Sequence, residues 1–334
     1  MKGLILVSII ALASILGATA QSATITFRSD EDISVKIFKP IDGAYNPNVT
    51  SDVLNLKKDV NVDYQVAVSE FGFVHCEYFD ESRCDVLLLP DDHLEIGYLK
   101  NKLAFKGSNA DGQMYLYNQG GLGNYYGKLD SLISHTITNR IDFGGIDIDL
   151  KNKLLCPYYS DLQKMSSANK ISKPFEAILC KDLEYAQISM LNVEYQNLLI
   201  GRIHKYKPLT SDSIEIIKRI HALFNDPNVI NEKTLKYNFA WVGDYYLLKW
   251  NSLTKENRAL LRESYPSETF GGIMYNLAAP TYMQSALFGI GFVGELRYPR
   301  ISFDHSKLLA YLKVKFPNSE YIPIIQKKME ELKK

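Results

Sequence analysis

Apolar residues change their spacing once along this chain, and the change limits what it can fold into. From Ser22 to about Lys106 they alternate. Ala23-Thr24-Ile25-Thr26-Phe27 and Ile33-Ser34-Val35-Lys36-Ile37 place every second side chain on one face, the period of a half-buried strand. Val62 to Val68 and Phe71 to Tyr78 continue the β-branched and aromatic enrichment. Val86-Leu87-Leu88-Leu89 is a fully apolar run, and Pro90-Asp91 forms the corner of a turn into Leu94-Glu95-Ile96. Short runs separated by Asp, Asn, Pro and Gly predict an antiparallel β-sandwich or open barrel over residues 21–108.

After about Asn109 the period becomes helical. Asp212 and Glu215 make a capping box for a helix from Ile214 to Asn225, and Asn225-Asp226-Pro227 stops it. Ser172 and Pro174 open a helix through Ile178, Leu179, Leu183, Ala186, Met190, Val193 and Asn197 that closes near Gly201. Further helices start near Thr254, Asp304 and Asn318. No repeat of fixed period occurs, so residues 109–334 read as an irregular all-helical domain and the whole chain as α+β. The last helix gathers Ile322, Ile325, Met329 and Leu332 on one face and runs to Lys334. Either it docks on its own domain or the chain stops at a domain boundary.

Residues 1–20 stand outside the fold. Lys2 precedes an apolar run from Leu4 to Leu16, and Ala18-Thr19-Ala20 has the small-x-small pattern read by signal peptidase. The run falls short of the ~20 residues a spanning helix needs, so it predicts a signal peptide cleaved after Ala20. The expected product is a soluble protein in the periplasm or otherwise exported. Phe270 to Val293 is also apolar, but Asn276, Pro280 and Gln284 interrupt it. A buried, broken helix or loop is expected there, with no transmembrane segment after signal cleavage. The 38 basic and 38 acidic residues cancel, which removes the broad attraction needed by a non-specific nucleic-acid binder.

Export alters the meaning of the four cysteines, Cys76, Cys84, Cys156 and Cys180. An even number in an oxidising compartment suggests disulfides. Three connectivities are open, and the locally favoured one joins Cys76 to Cys84 and Cys156 to Cys180. A hairpin centred on Asp80 would place the first pair face to face. Free, buried thiols acting as small hydrophobes are the competing account. No C-x-x-C occurs, so neither a thioredoxin-type dithiol nor a paired-cysteine zinc site has its spacing.

Other chemistry is sparse. His75, His93, His135, His204, His221 and His305 lie far apart without metal-binding spacing. Asp91-Asp92-His93 reads as a polar turn, and Asp147 with Asp149 as alternation on an exposed strand. Gly120-Gly121-Leu122-Gly123 lacks the context of a nucleotide loop, and no G-x-S-x-G elbow is present. No catalytic residue, cofactor or metal is expected. Tyrosine is abundant, at 22 residues, with doublets at Tyr125-Tyr126, Tyr158-Tyr159 and Tyr245-Tyr246. These suit helix packing at half-buried positions, or else glycan or peptide binding.

Three segments carry a resemblance. Leu87-Leu88-Leu89-Pro90-Asp91-Asp92-His93-Leu94-Glu95-Ile96 resembles an L-L-x-P-G-D-x-x-x-I turn. Phe105-Lys106-Gly107-Ser108-Asn109-Ala110 with Tyr117-Asn118 resembles F-x-G-x-N-A followed by Y-N. Tyr311-Leu312-Lys313 with Phe316-Pro317-Asn318-Ser319-Glu320-Tyr321 resembles Y-L-K followed by F-P-N-S-x-Y. In this order they are similar to the N-terminal region of exported bacterial thiol-disulfide oxidoreductases of the TlpA type. That family carries a β module, a helical region and then a thioredoxin domain with W-C-x-x-C. Asp91 departs from the pattern by replacing the turn glycine, a position where a positive φ is tolerable for Asp. The chain ends at Lys334, about where the thioredoxin domain would begin, so no catalytic residue carries over.

The resemblance implies a non-catalytic exported accessory or binding protein that acts with a thioredoxin-like protein or domain supplied in trans, docked at the C-terminal helix. A different class of reading makes Cys76 and Cys84, or Cys156 and Cys180, a redox-active pair in a thiol-disulfide oxidoreductase. The third is a glycan- or peptide-binding protein.

Overall fold

A computed structural model describes residues 21–42, 44, 51–118, 156–186, 231–237, 256, 257, 259, 279–297 and 305–332. Eight strands come first: β1 (Ser22–Ser29), β2 (Ile33–Phe38), β3 (Asp52–Leu56), β4 (Val62–Ala67), β5 (Gly72–Tyr78), β6 (Arg83–Leu88), β7 (His93–Leu99) and β8 (Lys102–Gly107). The helices are α1 (Ala110–Asn118), α2 (Cys156–Ser167), α3 (residues 173–186), α4 (Thr281–Arg297), α5 (His305–Lys315) and α6 (Tyr321–Glu331), with a 3-10 turn at Glu232–Lys236. The chain is thus α+β, and its switch from strands to helices falls between Gly107 and Ala110.

The strands form two four-stranded sheets, ordered β4-β1-β7-β8 and β3-β2-β5-β6. Alternation in the sequence decides their packing. Ala23, Ile25, Phe27, Ile96 and Phe105 of the first sheet share one buried cluster with Val35, Ile37, Val74, Val86 and Leu88 of the second. The sheets therefore pack face to face as a sandwich, without closing into a barrel. One pairing departs from the antiparallel expectation: β1 runs parallel to β7, with Ile25 beside Leu94 and Phe27 beside Ile96. β1 lies inside its sheet with β4 antiparallel on its other side, so the long excursion through the second sheet returns β7 in the same direction. β3, over Asp52–Leu56, lies between the strands that the apolar alternation marks.

The outer face of the second sheet is divided. Phe73 and Leu87 point away from the sandwich interior and are fully buried in a second cluster with Ile41, Ala44, Phe71 and the helices. Leu116, Leu162, Phe175, Leu179, Phe288 and Ile325 belong to that cluster. Toward the hairpin tip the same face carries Lys36, Glu77 and Arg83. Strands and helices therefore share a core, which lies against one half of one sheet.

Local signals explain how the helices begin. Ser172 accepts a hydrogen bond from the Phe175 N–H at 3.3 Å, as the cap preceding Pro174 leads one to expect. α5 and α6 begin close to Asp304 and Asn318, and residues 256, 257 and 259 are helical beyond Thr254. The helix expected over Ile214–Asn225 lies outside the described residues. Of the apolar stretch from Phe270, residues 281–293 belong to α4, whose Met283, Phe288, Phe292 and Val293 are buried. Among the described residues no helix is long and apolar enough to cross a membrane.

Candidate functional site

Each cysteine carries a free thiol in the structure. Cys76 and Cys84 stand directly opposite each other on β5 and β6, as the hairpin around Asp80 predicts. The Tyr78 N–H bonds to the Ser82 carbonyl, so by alternation the two cysteines also occupy a hydrogen-bonded cross-strand position. Their side chains point into the sandwich and are buried. The hydrogen bond to Cys76, together with burial, raises the Cys84 thiol well above its ordinary range. Cys156 is the exposed first residue of α2. Cys180 sits half-buried on α3, its thiol pushed up to about 11 by burial and by Glu176 and Glu184. Raised thiols are the reverse of what a reactive cysteine requires.

His75 lies beside this hairpin on the outer face of β5. Its Nδ1 is 2.8 Å from Asp85 and its Nε2 is 3.2 Å from Glu77, while its ring lies 5.6 Å from that of Phe38. Burial opposes protonation, but the two carboxylates outweigh it and raise the His75 pKa. Asp91-Asp92-His93 does form a turn. Asp91 adopts φ 63°, and the Asp92 carboxylate accepts the Leu89 N–H at 2.9 Å. Burial raises the Asp92 pKa despite that bond. His305 stacks on Phe292. Among the described residues no group of three or more His, Cys, Asp or Glu could hold a metal ion.

Of the tyrosine doublets only Tyr158-Tyr159 falls within the described residues. Tyr158 packs edge-on to Tyr115 at 6.1 Å, and the Tyr159 hydroxyl donates to the Cys180 carbonyl at 3.4 Å. Both serve packing between helices. His135, His204, His221, Asp147, Asp149, the Gly120–Gly123 stretch and the other two doublets lie outside the described residues.

An open cavity lies where the strands meet the last helix. It is a cleft of about 670 Å³ lined by Lys36, Phe38, Lys39 and Ile41 from β2 and its exit, and by Ser51 and Asp52 at the start of β3. Glu320, Ile324, Lys327, Lys328 and Glu331 line it from α6 and its N-terminus. α6 turns Tyr321 and Ile325 into the core, so the next stripe round its surface faces the cleft. Asp52 accepts a hydrogen bond from the Tyr64 hydroxyl and pairs with Lys39 at 3.3 Å. Burial alone would raise its pKa, but Tyr64, Lys39 and the nearby Lys327 hold the carboxyl below the usual range.

The walls of the cleft are fixed by one aspartate. Asp42, at φ 49°, accepts from the Ser285 and Ser319 hydroxyls at 2.9 Å and from the Glu320 N–H at 2.8 Å. Its own N–H donates to the Glu320 carboxylate at 3.2 Å. A residue following β2 thus caps α6 from outside the helix. Of this site only the C-terminal helix stands out in the sequence. Lys36, Lys39, Lys327 and Lys328 come from opposite ends of the chain, and no spacing joins them. A scan against protein-family models finds no match for the chain, and neither does a search of curated proteins.

Proposed function

We propose that this chain is a non-catalytic binding protein, exported and accessory to a thioredoxin-like partner that docks at α6. The observation carrying the reading is the cleft: α6 commits one side to the core and presents Ile324, Lys327 and Lys328 to an open groove. The resemblance to TlpA-type proteins supplies the class of partner, and the signal-like segment over residues 1–20 supplies the compartment. Leu332, at the end of α6, is 49% exposed and offers an apolar contact beside the groove. Calorimetric titration with an exported thioredoxin-like protein from the same source tests the reading. A saturable heat that Leu332→Asp abolishes is expected. No heat with either the oxidised or the reduced partner sinks it.

The redox-enzyme reading draws on the facing Cys76 and Cys84. It requires an accessible thiolate, and both the burial of this pair and its raised thiol oppose one. Insulin reduction that disappears in Cys76→Ser/Cys84→Ser would restore it. Activity that persists with all four cysteines changed to serine would remove it.

A further inference from the structure

We propose that the cleft beside α6 takes an extended, acidic peptide segment of a partner protein, added as a strand to the outer edge of β3; this rests on the binding-protein reading above. The backbone supplies the first observation. The Phe79 N–H donates to the Ser34 carbonyl, so Ser34 and Lys36 turn their peptide groups toward β5 while Val35 and Ile37 turn theirs toward β3. With Val35 opposite Leu54 and Ile37 opposite Asp52, the peptide groups of Leu54 and Asp52 answer them. Those of Val53 and Asn55 therefore point away from the sheet. β3 is an end strand, and no described strand takes up these groups.

That edge lacks the usual deterrents to pairing. Val53-Leu54-Asn55-Leu56 contains neither Lys nor Pro, the residues that commonly blunt a free edge. Val53 is 50% exposed. Alternating N–H and C=O groups along such an edge bind an extended peptide through its main chain, and neighbouring side chains then select among peptides.

Charge identifies the peptide. Two of the three acidic residues lining the cleft are already engaged, Asp52 by Lys39 and Tyr64 and Glu320 by the Asp42 N–H. Lys36 stands over the Phe79 ring at 5.4 Å. Lys327 lies near enough to favour the Asp52 carboxylate, and among the described residues neither it nor Lys328 is in a close ion pair. With Lys39 paired to Asp52, three lysines face the carboxylates of Glu320 and Glu331, and the lining keeps one excess positive charge. The cleft complements carboxylates and repels a basic strand.

The test is fluorescence anisotropy of the full chain with a labelled peptide alternating glutamate and valine, against one alternating lysine and valine. Binding of the acidic peptide alone is expected, weakening as salt rises. Lys327→Glu/Lys328→Glu should weaken it by about tenfold or more. Val53→Pro should do the same by deleting an outward N–H, because this residue makes no ladder bond to β2. Circular dichroism checks that both variants fold. Equal binding of the two peptides, or unchanged affinity in either variant, overturns the proposal. If those results come with intact binding of the thioredoxin-like protein, only the acidic strand is lost. If the peptide binds as expected and the thioredoxin-like protein does not, the cleft stands and its assigned partner falls.

Discussion

Gln113 shows how much one side chain can decide. It is fully buried on α1, donates to the Leu87 carbonyl at 2.6 Å and accepts the Leu87 N–H at 3.2 Å. Its amide imitates a further strand on the outer edge of β6 and leaves neither peptide group unpaired. Gln113→Leu should cost about 2–4 kcal/mol, because two buried backbone groups lose their partners. Urea unfolding measures this, and a loss within error of zero would mean that water replaces the amide. His75 makes a claim about pH. Its folded pKa is raised by Asp85 and Glu77, so the stability it adds is fully present below the unfolded value of about 6.5 and is lost as pH rises through the folded value. Melting temperature should fall across that window in the native chain and less steeply in His75→Gln. Parallel curves for the two proteins would refute it.

Among the elements, the joint between β2 and α6 depends most on a few contacts. Glu320 at the N-cap of α6 makes no side-chain cap bond and the Ser319 hydroxyl takes only the Tyr321 N–H at 3.3 Å, so Asp42 adds the acceptor for the Glu320 N–H and holds the Ser319 hydroxyl in place. Asp42→Ala should therefore cost about 1–2 kcal/mol, the range for losing a helix cap. Hydrogen exchange should speed up in α6 ahead of the sandwich; uniform acceleration through both would contradict a local cap. Close helix packing reinforces this joint. A Cβ on Gly289 of α4 would lie 2.1 Å from the Tyr321 ring of α6, so only glycine permits their approach. Residues at the other turns and joints have similar structural duties. Gly107 holds φ 92° with the His93 carbonyl where a Cβ would lie, Asn109 accepts the Ser172 N–H at 2.8 Å, and Ser319 bonds to Asp42. These residues turn and join elements.

For the whole molecule, the shared core makes strands and helices depend on each other. Phe71, Phe73 and Leu87 are buried against the helices, and each represents about 1.5–3 kcal/mol of burial. A fragment of residues 21–108 should expose all three, bind a hydrophobic dye and associate, whereas the full chain unfolds in one transition followed equally by near- and far-ultraviolet dichroism. A monomeric, dye-silent fragment would show that the sandwich is independent. The period of the apolar residues was sufficient to determine the α+β class and the order of strands before helices, while turn and cap residues marked the hairpin around Asp80 that sets Cys76 against Cys84 and the start of α3 at Ser172. All of these follow from local geometry, in which neighbours in sequence are neighbours in space. Tertiary structure alone decided the parallel pairing of β1 with β7, the division of the outer sheet face, the external cap from Asp42 and the lysine-lined cleft. Each of these joins residues far apart in the chain, and their meeting depends on how whole sheets and helices stack, which no spacing in the sequence encodes.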